Sequence, residues 1–172
     1  MNRLTLALGL LLGSLMVHAD QALLQQLSEA PSPTRIEADV RHLVSFGTRH
    51  TLSETVSETR GIGAARRWIE AEFNQISEAC GGCLTVYTQS RVFSEERRIP
   101  EATEVVNVIA VLKGTSDPNR YVIMSGDIDS RVSDPMNSTD DSPGANDNAS
   151  GMAGVIEAAR VLSQHRFPAS IV

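Results

Sequence analysis

The chain has 172 residues, 41% of them hydrophobic and 21% charged, with 15 basic against 21 acidic side chains and a net charge of −6. That apolar share can bury a core, which excludes a wholly disordered chain, and no triplet or heptad repeat admits a collagen or coiled-coil architecture. With no basic patch and only 4% aromatics, the chain offers a nucleic acid neither charge nor stacking surface.

Residues Met1 to Ala19 read as a signal peptide. Arg3 is the positive start, Leu4 to Val17 the apolar run, and Val17-His18-Ala19 a small-residue cleavage pattern. The run is short for a membrane span, which needs about 20 apolar residues. The expected product is secreted or periplasmic, begins at Asp20 and keeps no membrane segment.

Asp20 to Ala30 predicts a short amphipathic helix on Leu23, Leu24 and Leu27. Pro31-Ser32-Pro33 breaks it, and Ser32 or Thr34 caps a second helix over Arg35 to Phe46. Thr48 to Thr59 reads as a polar loop. Ile62, Ala65, Ile69, Phe73 and Ile76 predict a helix from Arg60 to Ser77, with Trp68 widening its apolar stripe. Cys80-Gly81-Gly82-Cys83 follows. A redox pair of this spacing belongs at the start of a helix after a strand, the reverse of the order here. A zinc knuckle needs a second ligand pair, and no other cysteine exists. A disulfide between Cys80 and Cys83 across a turn is the favoured reading, in keeping with an oxidising compartment.

Then the period changes. Leu84 to Phe93 reads as a strand, and Glu104 to Leu112 as a buried one. Gly114 to Asn119 is a loop. Tyr121 to Met124 is a short strand running into Ser125-Gly126-Asp127-Ile128-Asp129. An acidic loop leads to Asn146, Asn148 to Ser163 predicts a helix, and Ala169 to Val172 opens another strand. The expected fold is α/β: a three-layer α/β/α sandwich with a mixed sheet. Because the sequence stops on an apolar strand start, the expectation is the N-terminal part, about half, of a longer domain.

In open α/β sheets ligands gather beyond the carboxyl ends of strands, and here that place is acidic. Asp127 and Asp129, two apart, share a face if the strand continues. Asp147 follows just before a helix, with Asp134, Asp140 and Asp141 in the loop between. Converging carboxylates call for a cation. Each also has a plainer role: Asp147 as a helix N-cap, Asp127 and Asp129 as a solvated strand end, the loop aspartates as turn formers. His42, His50 and His165 lack ligand spacing and read as packing or surface residues.

Two segments resemble a known family. Val122-Ile123-Met124-Ser125-Gly126-Asp127-Ile128-Asp129-Ser130-Arg131 and Pro143-Gly144-Ala145-Asn146-Asp147-Asn148-Ala149-Ser150-Gly151 are similar to the co-catalytic zinc exopeptidases, which include bacterial leucyl aminopeptidases and glutamate carboxypeptidases. Phe46-Gly47-Thr48-Arg49-His50, the 60–77 helix and 106–114 are more weakly similar. The resemblance implies a metal-dependent, aminopeptidase-like exopeptidase that attacks peptide substrates with metal-activated water. It implies that Asp147 bridges two zinc ions and that Asp129 is the catalytic-site carboxylate orienting a metal ligand. Asp127 stands where the family has a zinc-binding histidine. Aspartate binds through oxygen and lacks a ring N–H, so a site built on it favours harder ions such as manganese. Asp127 is either a ligand in a variant subfamily or the mark of a weakened site. The family's remaining ligands and its general-base glutamate come later in the chain, so this segment alone is expected to be inactive. A non-catalytic relative acting as a binding protein is the alternative. A calcium-binding module ranks third, since the regular EF-hand spacing is absent.

Overall fold

The computed structural model describes residues 21–172, so the expected signal peptide, Met1 to Ala19, lies outside the described residues. The chain divides between Pro31 and Ser32. On the N-terminal side residues 21–29 are helical (α1). The larger unit holds α2 (Pro33–Ser45), α3 (Gly61–Ala79), β1 (Leu84–Phe93), β2 (Thr103–Leu112), β3 (Asp117–Val122), α4 (Ser150–Leu162) and β4 (Ala169–Ile171). No described helix is long and apolar enough to cross a membrane.

The α/β fold with a mixed sheet stands. The four strands run in the order β1-β2-β4-β3. β1 and β2 form an antiparallel pair in unbroken register from Leu84↔Leu112 to Phe93↔Thr103, β2 and β4 are antiparallel, and β3 and β4 are parallel across α4. Pairing fixes which residues share a face. Leu84, Val86, Val108, Ala110 and Leu112 join the core beneath the helices, while Tyr87, on the alternate face, is 45% exposed.

α2 starts where proline fits. Pro33 occupies the first turn, where its missing N–H costs nothing, and Ser32 Oγ accepts from the Arg35 amide at 3.3 Å. Along α3 the apolar residues 62, 65, 69, 73 and 76 all bury, and the last four share a core with Leu43 of α2, Phe46 at its C-cap, and Met152 and Ile156 of α4. His42 of α2 stacks on Trp68 with ring centroids 4.6 Å apart. At the end of α3 the Gly82 amide reaches the Ser77 carbonyl at 2.7 Å, and Cys80 and Cys83 are disulfide-bonded, with Cα atoms 5.5 Å apart. Ser77 Oγ donates to the Leu84 carbonyl at 2.9 Å and accepts from the Leu84 amide at 3.2 Å, fastening β1 to the helix it follows.

The helices are joined by charge as well as by apolar packing. Arg160 of α4 pairs with Asp39 of α2, Glu72 of α3 (2.6 Å) and Glu157 (3.5 Å). Glu157 is 2% exposed and also accepts from the Ser32 amide (2.6 Å) and Arg35 Nε (2.9 Å). Burial pushes the Glu157 carboxyl up, but the hydrogen bonds from Arg35, Ser32 and Arg160 outweigh it and hold the group below the usual glutamate range. Burial pulls Arg160 down, and its bonds to Asp39 and Glu72 more than reverse that.

Two of the boundaries that differ from the sequence reading bear on the site. β3 begins at Asp117, inside the expected loop, because the Asp117 amide reaches the Pro168 carbonyl at 2.9 Å; a register shift then separates it from Tyr121. α4 begins at Ser150, two residues late. Asp147 (φ −120°, ψ 96°) and Asn148 (φ −133°, ψ 41°) lie outside helical space, in a wide turn closed by the Ala149 amide on the Gly144 carbonyl at 3.0 Å.

Candidate metal-binding loops

Beyond β3 the Met124 amide still reaches the Val172 carbonyl at 2.9 Å, and the chain then leaves the sheet. Asp127 and Asp129 stand on an extended segment past the strand end and line one cleft of about 480 Å³ with Thr51, Arg66, Asn107 and Met152. Asp147 sits on the neighbouring 144–149 turn and is not part of that wall. All three carboxylates are exposed.

The two segments touch through glycines. A Cβ on Gly126 would lie 3.0 Å from the Gly151 carbonyl carbon, so the strand exit rests directly on the first turn of α4. Gly144 has φ +46°, and a Cβ there would lie 2.6 Å from Ser130 Cβ and 2.5 Å from the Asp147 carbonyl oxygen. A side chain at either position would push the loops apart.

A third segment, just after α2, lies behind both. Arg49 is fully buried. Its Nε donates to the Ile128 carbonyl (3.0 Å), Nη1 to those of Leu43 (2.8 Å) and Pro143 (2.9 Å), and Nη2 to that of Gly144 (3.0 Å). Its backbone amide donates to Ser130 Oγ at 3.0 Å, and its carbonyl accepts from the Ser130 amide at 3.2 Å. Thr48 Oγ1 and Ser142 Oγ are 2.9 Å apart. Burial lowers the Arg49 pKa, with Asp129 opposing it. His50 is spent structurally. Its Nδ1 accepts from the Leu52 amide at 3.0 Å, which leaves Nε2–H to donate to the Pro135 carbonyl at 3.1 Å.

The aspartates separate by what each one holds. Asp134 accepts from the Met136 amide, Asp140 from Asn137, and Asp141 pairs with Arg60 at 2.7 Å; these are turn formers and a surface ion pair. Asp129 accepts from Thr51 Oγ1 at 3.1 Å. Asp147 does not cap α4. That role falls to Asn148, whose Oδ1 accepts from the Gly151 amide at 3.0 Å. The carboxylates of Asp127 and Asp147 have no hydrogen bond or ion pair among the described residues. Two free oxygen donors on abutting loops suit part of a divalent-metal donor set. Among the described residues no group of three His, Cys, Asp or Glu side chains could hold an ion by itself.

Sequence reasoning missed Arg49, Thr51, Ser130 and Asn148 as supports of the site. Arg49 was visible only within the weaker Phe46–His50 similarity, since an arginine in a polar loop looks like any solvated charge.

Residues 107–172 match the profile of Peptidase family M28. The chain is 47% identical over 149 residues to a "Probable zinc metalloprotease" of Pyrenophora teres f. teres, covering 87% of this chain and 31% of that protein. A protein of the same description from Leptosphaeria maculans is 46% identical, over 87% of this chain and 35% of the relative. One from Pyricularia oryzae is 48% identical, over 81% and 28%. The chain thus spans about a third of the length of these relatives. The crystal structure of Fimbriiglobus ruber glutaminyl cyclase superposes with a TM-score of 0.58 at 20% identity, covering 82% of this chain and 43% of that one, and shares the fold. The resemblance to the co-catalytic zinc exopeptidases holds on these grounds.

Proposed function

We propose that this chain carries part of the active site of a secreted metallopeptidase, an exopeptidase of the aminopeptidase type acting on peptide substrates. One observation carries the reading. Of the acidic residues in the two motif segments, only Asp127 and Asp147 lack a partner, and they stand on loops packed against each other. Unpaired carboxylates on abutting loops are oxygen donors that a divalent cation can take up.

Asp127 and Asp147 would hold the metal. Zinc is the expected ion, two of them by the family pattern, with manganese favoured to the extent that Asp127 replaces a nitrogen donor. The bound metal supplies Lewis acidity and lowers the pKa of water. Asp129, braced by Thr51, supports the cleft wall beside Asp127. Export follows from the leader at residues 1–19 and suits the Cys80–Cys83 disulfide.

The test is Asp147→Ala in the natural protein, assayed on amino-acid amides. Metal-dependent hydrolysis is expected to vanish, and retained hydrolysis refutes the assignment. Activity lost to a chelator should return with zinc or manganese and not with calcium. Asp127 in a histidine position also supports a second reading, a non-catalytic relative. A folded natural protein that takes up metal and hydrolyses no amide of a broad panel would favour it.

A further inference from the structure

We propose that Arg49 is the positioning residue of the metal-binding loops: one buried guanidinium sets the separation of Asp127 and Asp147 by binding the backbones that carry them. The inference rests on the metal-binding reading above. Ile128, whose carbonyl takes Arg49 Nε, lies between Asp127 and Asp129, so that bond fixes the backbone under both. Pro143 and Gly144 accept from the two Nη atoms on the other loop. The Gly144 carbonyl also accepts the Ala149 amide at 3.0 Å, the bond that closes the turn holding Asp147. The fourth bond, to Leu43, anchors the fork to the last turn of α2. Its four hydrogen bonds all go to neutral backbone carbonyls. The charge is therefore not cancelled by a contacting carboxylate and remains beneath an acidic surface. A guanidinium reaches three segments because its donors diverge in one plane; an ammonium is a point and cannot replace it.

The experiment compares Arg49→Lys with Arg160→Lys in the natural protein. Both alter a cation that joins three segments, but Arg160 contacts side chains of the helices and neither acidic loop. Zinc affinity is read by competition with a chromophoric chelator, and loop order by amide hydrogen exchange. Arg49→Lys is expected to weaken zinc binding about 10-fold and to speed exchange in 126–131 and 142–149 together. Arg160→Lys is expected to leave zinc affinity within about twofold and to speed exchange at the helix seam instead. Should Arg49→Lys fail to fold, Ser130→Ala removes the hydroxyl that accepts from the Arg49 amide and donates to the Ser142 carbonyl. It is expected to weaken zinc binding about threefold, a fraction of the loss typical of groups behind a metal ligand. Unchanged zinc affinity in the folded Arg49 variant, or in Ser130→Ala where that one is needed, overturns the inference alone, as does an equal loss in Arg160→Lys. A wild-type protein that takes up no zinc overturns the metal-binding reading and this inference with it.

Discussion

Arg49 is a buried cation and Arg160 a half-buried one, and each draws three segments of the fold together. Arg160 is neutralised by carboxylates, from Asp39, Glu72 and Glu157, and joins three helices. Arg49 is satisfied by four backbone carbonyls and joins a helix end to two loops. The carboxylates raise the Arg160 pKa, while burial lowers that of Arg49. The difference separates stability from function. Where opposite charges meet, the structure consumes them. Where carbonyls solvate the cation, the nearby carboxylates of Asp127 and Asp147 stay free.

The largest effect is expected on the helix side. Arg160→Met would strand Asp39 as a buried anion, while Arg35 and the Ser32 amide still hold Glu157, and should cost about 3–5 kcal/mol in urea unfolding while zinc affinity per folded molecule is unchanged. A coupled loss of zinc binding would break the contrast. On the loop side, Gly144→Ala inserts a methyl against Ser130 and the Asp147 carbonyl oxygen, at a strained φ. It should cost about 2–3 kcal/mol, as overpacking does, and here zinc binding should fall as well.

Acid should separate the two regions next. Glu157 is held below the usual carboxylate range. Its contribution is therefore complete above the unfolded value, about 4.3, and is lost as pH falls through the lower folded value. Hydrogen exchange between α2 and α4 should accelerate below that pH. The Arg49 bonds to carbonyls have no proton to gain, so exchange around 47–50 should respond less. The smallest effect belongs to the surface. Arg60→Ala removes an exposed pair with Asp141 and should cost under about 1 kcal/mol, less at high salt. A larger loss would mean that Arg60, which also donates to the Thr139 carbonyl, supports the acidic loop.

Much of the fold was legible in the residues. The α3 stripe, β1 from Leu84 to Phe93 and the cap at Ser32 all depend on neighbours within a few positions, where periodicity and local hydrogen bonding act. The start of α4 was not. Asn148 and Asp147 are both good caps by type, and the choice depends on the turn closed by Gly144, which is visible only once the chain folds back. β3 was misplaced at its start for a similar reason, since the Asp117 partner lies across the sheet at Pro168.

The site divides along the same line. By itself the sequence named the candidate donors, an acidic strand exit and an acidic turn before a helix, because donor type is a property of the side chain. Only the tertiary structure decided which carboxylates are available, and it did so by giving Asp129 to Thr51, Asp141 to Arg60 and helix capping to Asn148. Only the tertiary structure placed Arg49 behind both loops, 79 residues in sequence from Ile128 and 95 from Gly144. A hydrogen bond needs atoms about 3 Å apart, and that proximity is created by packing.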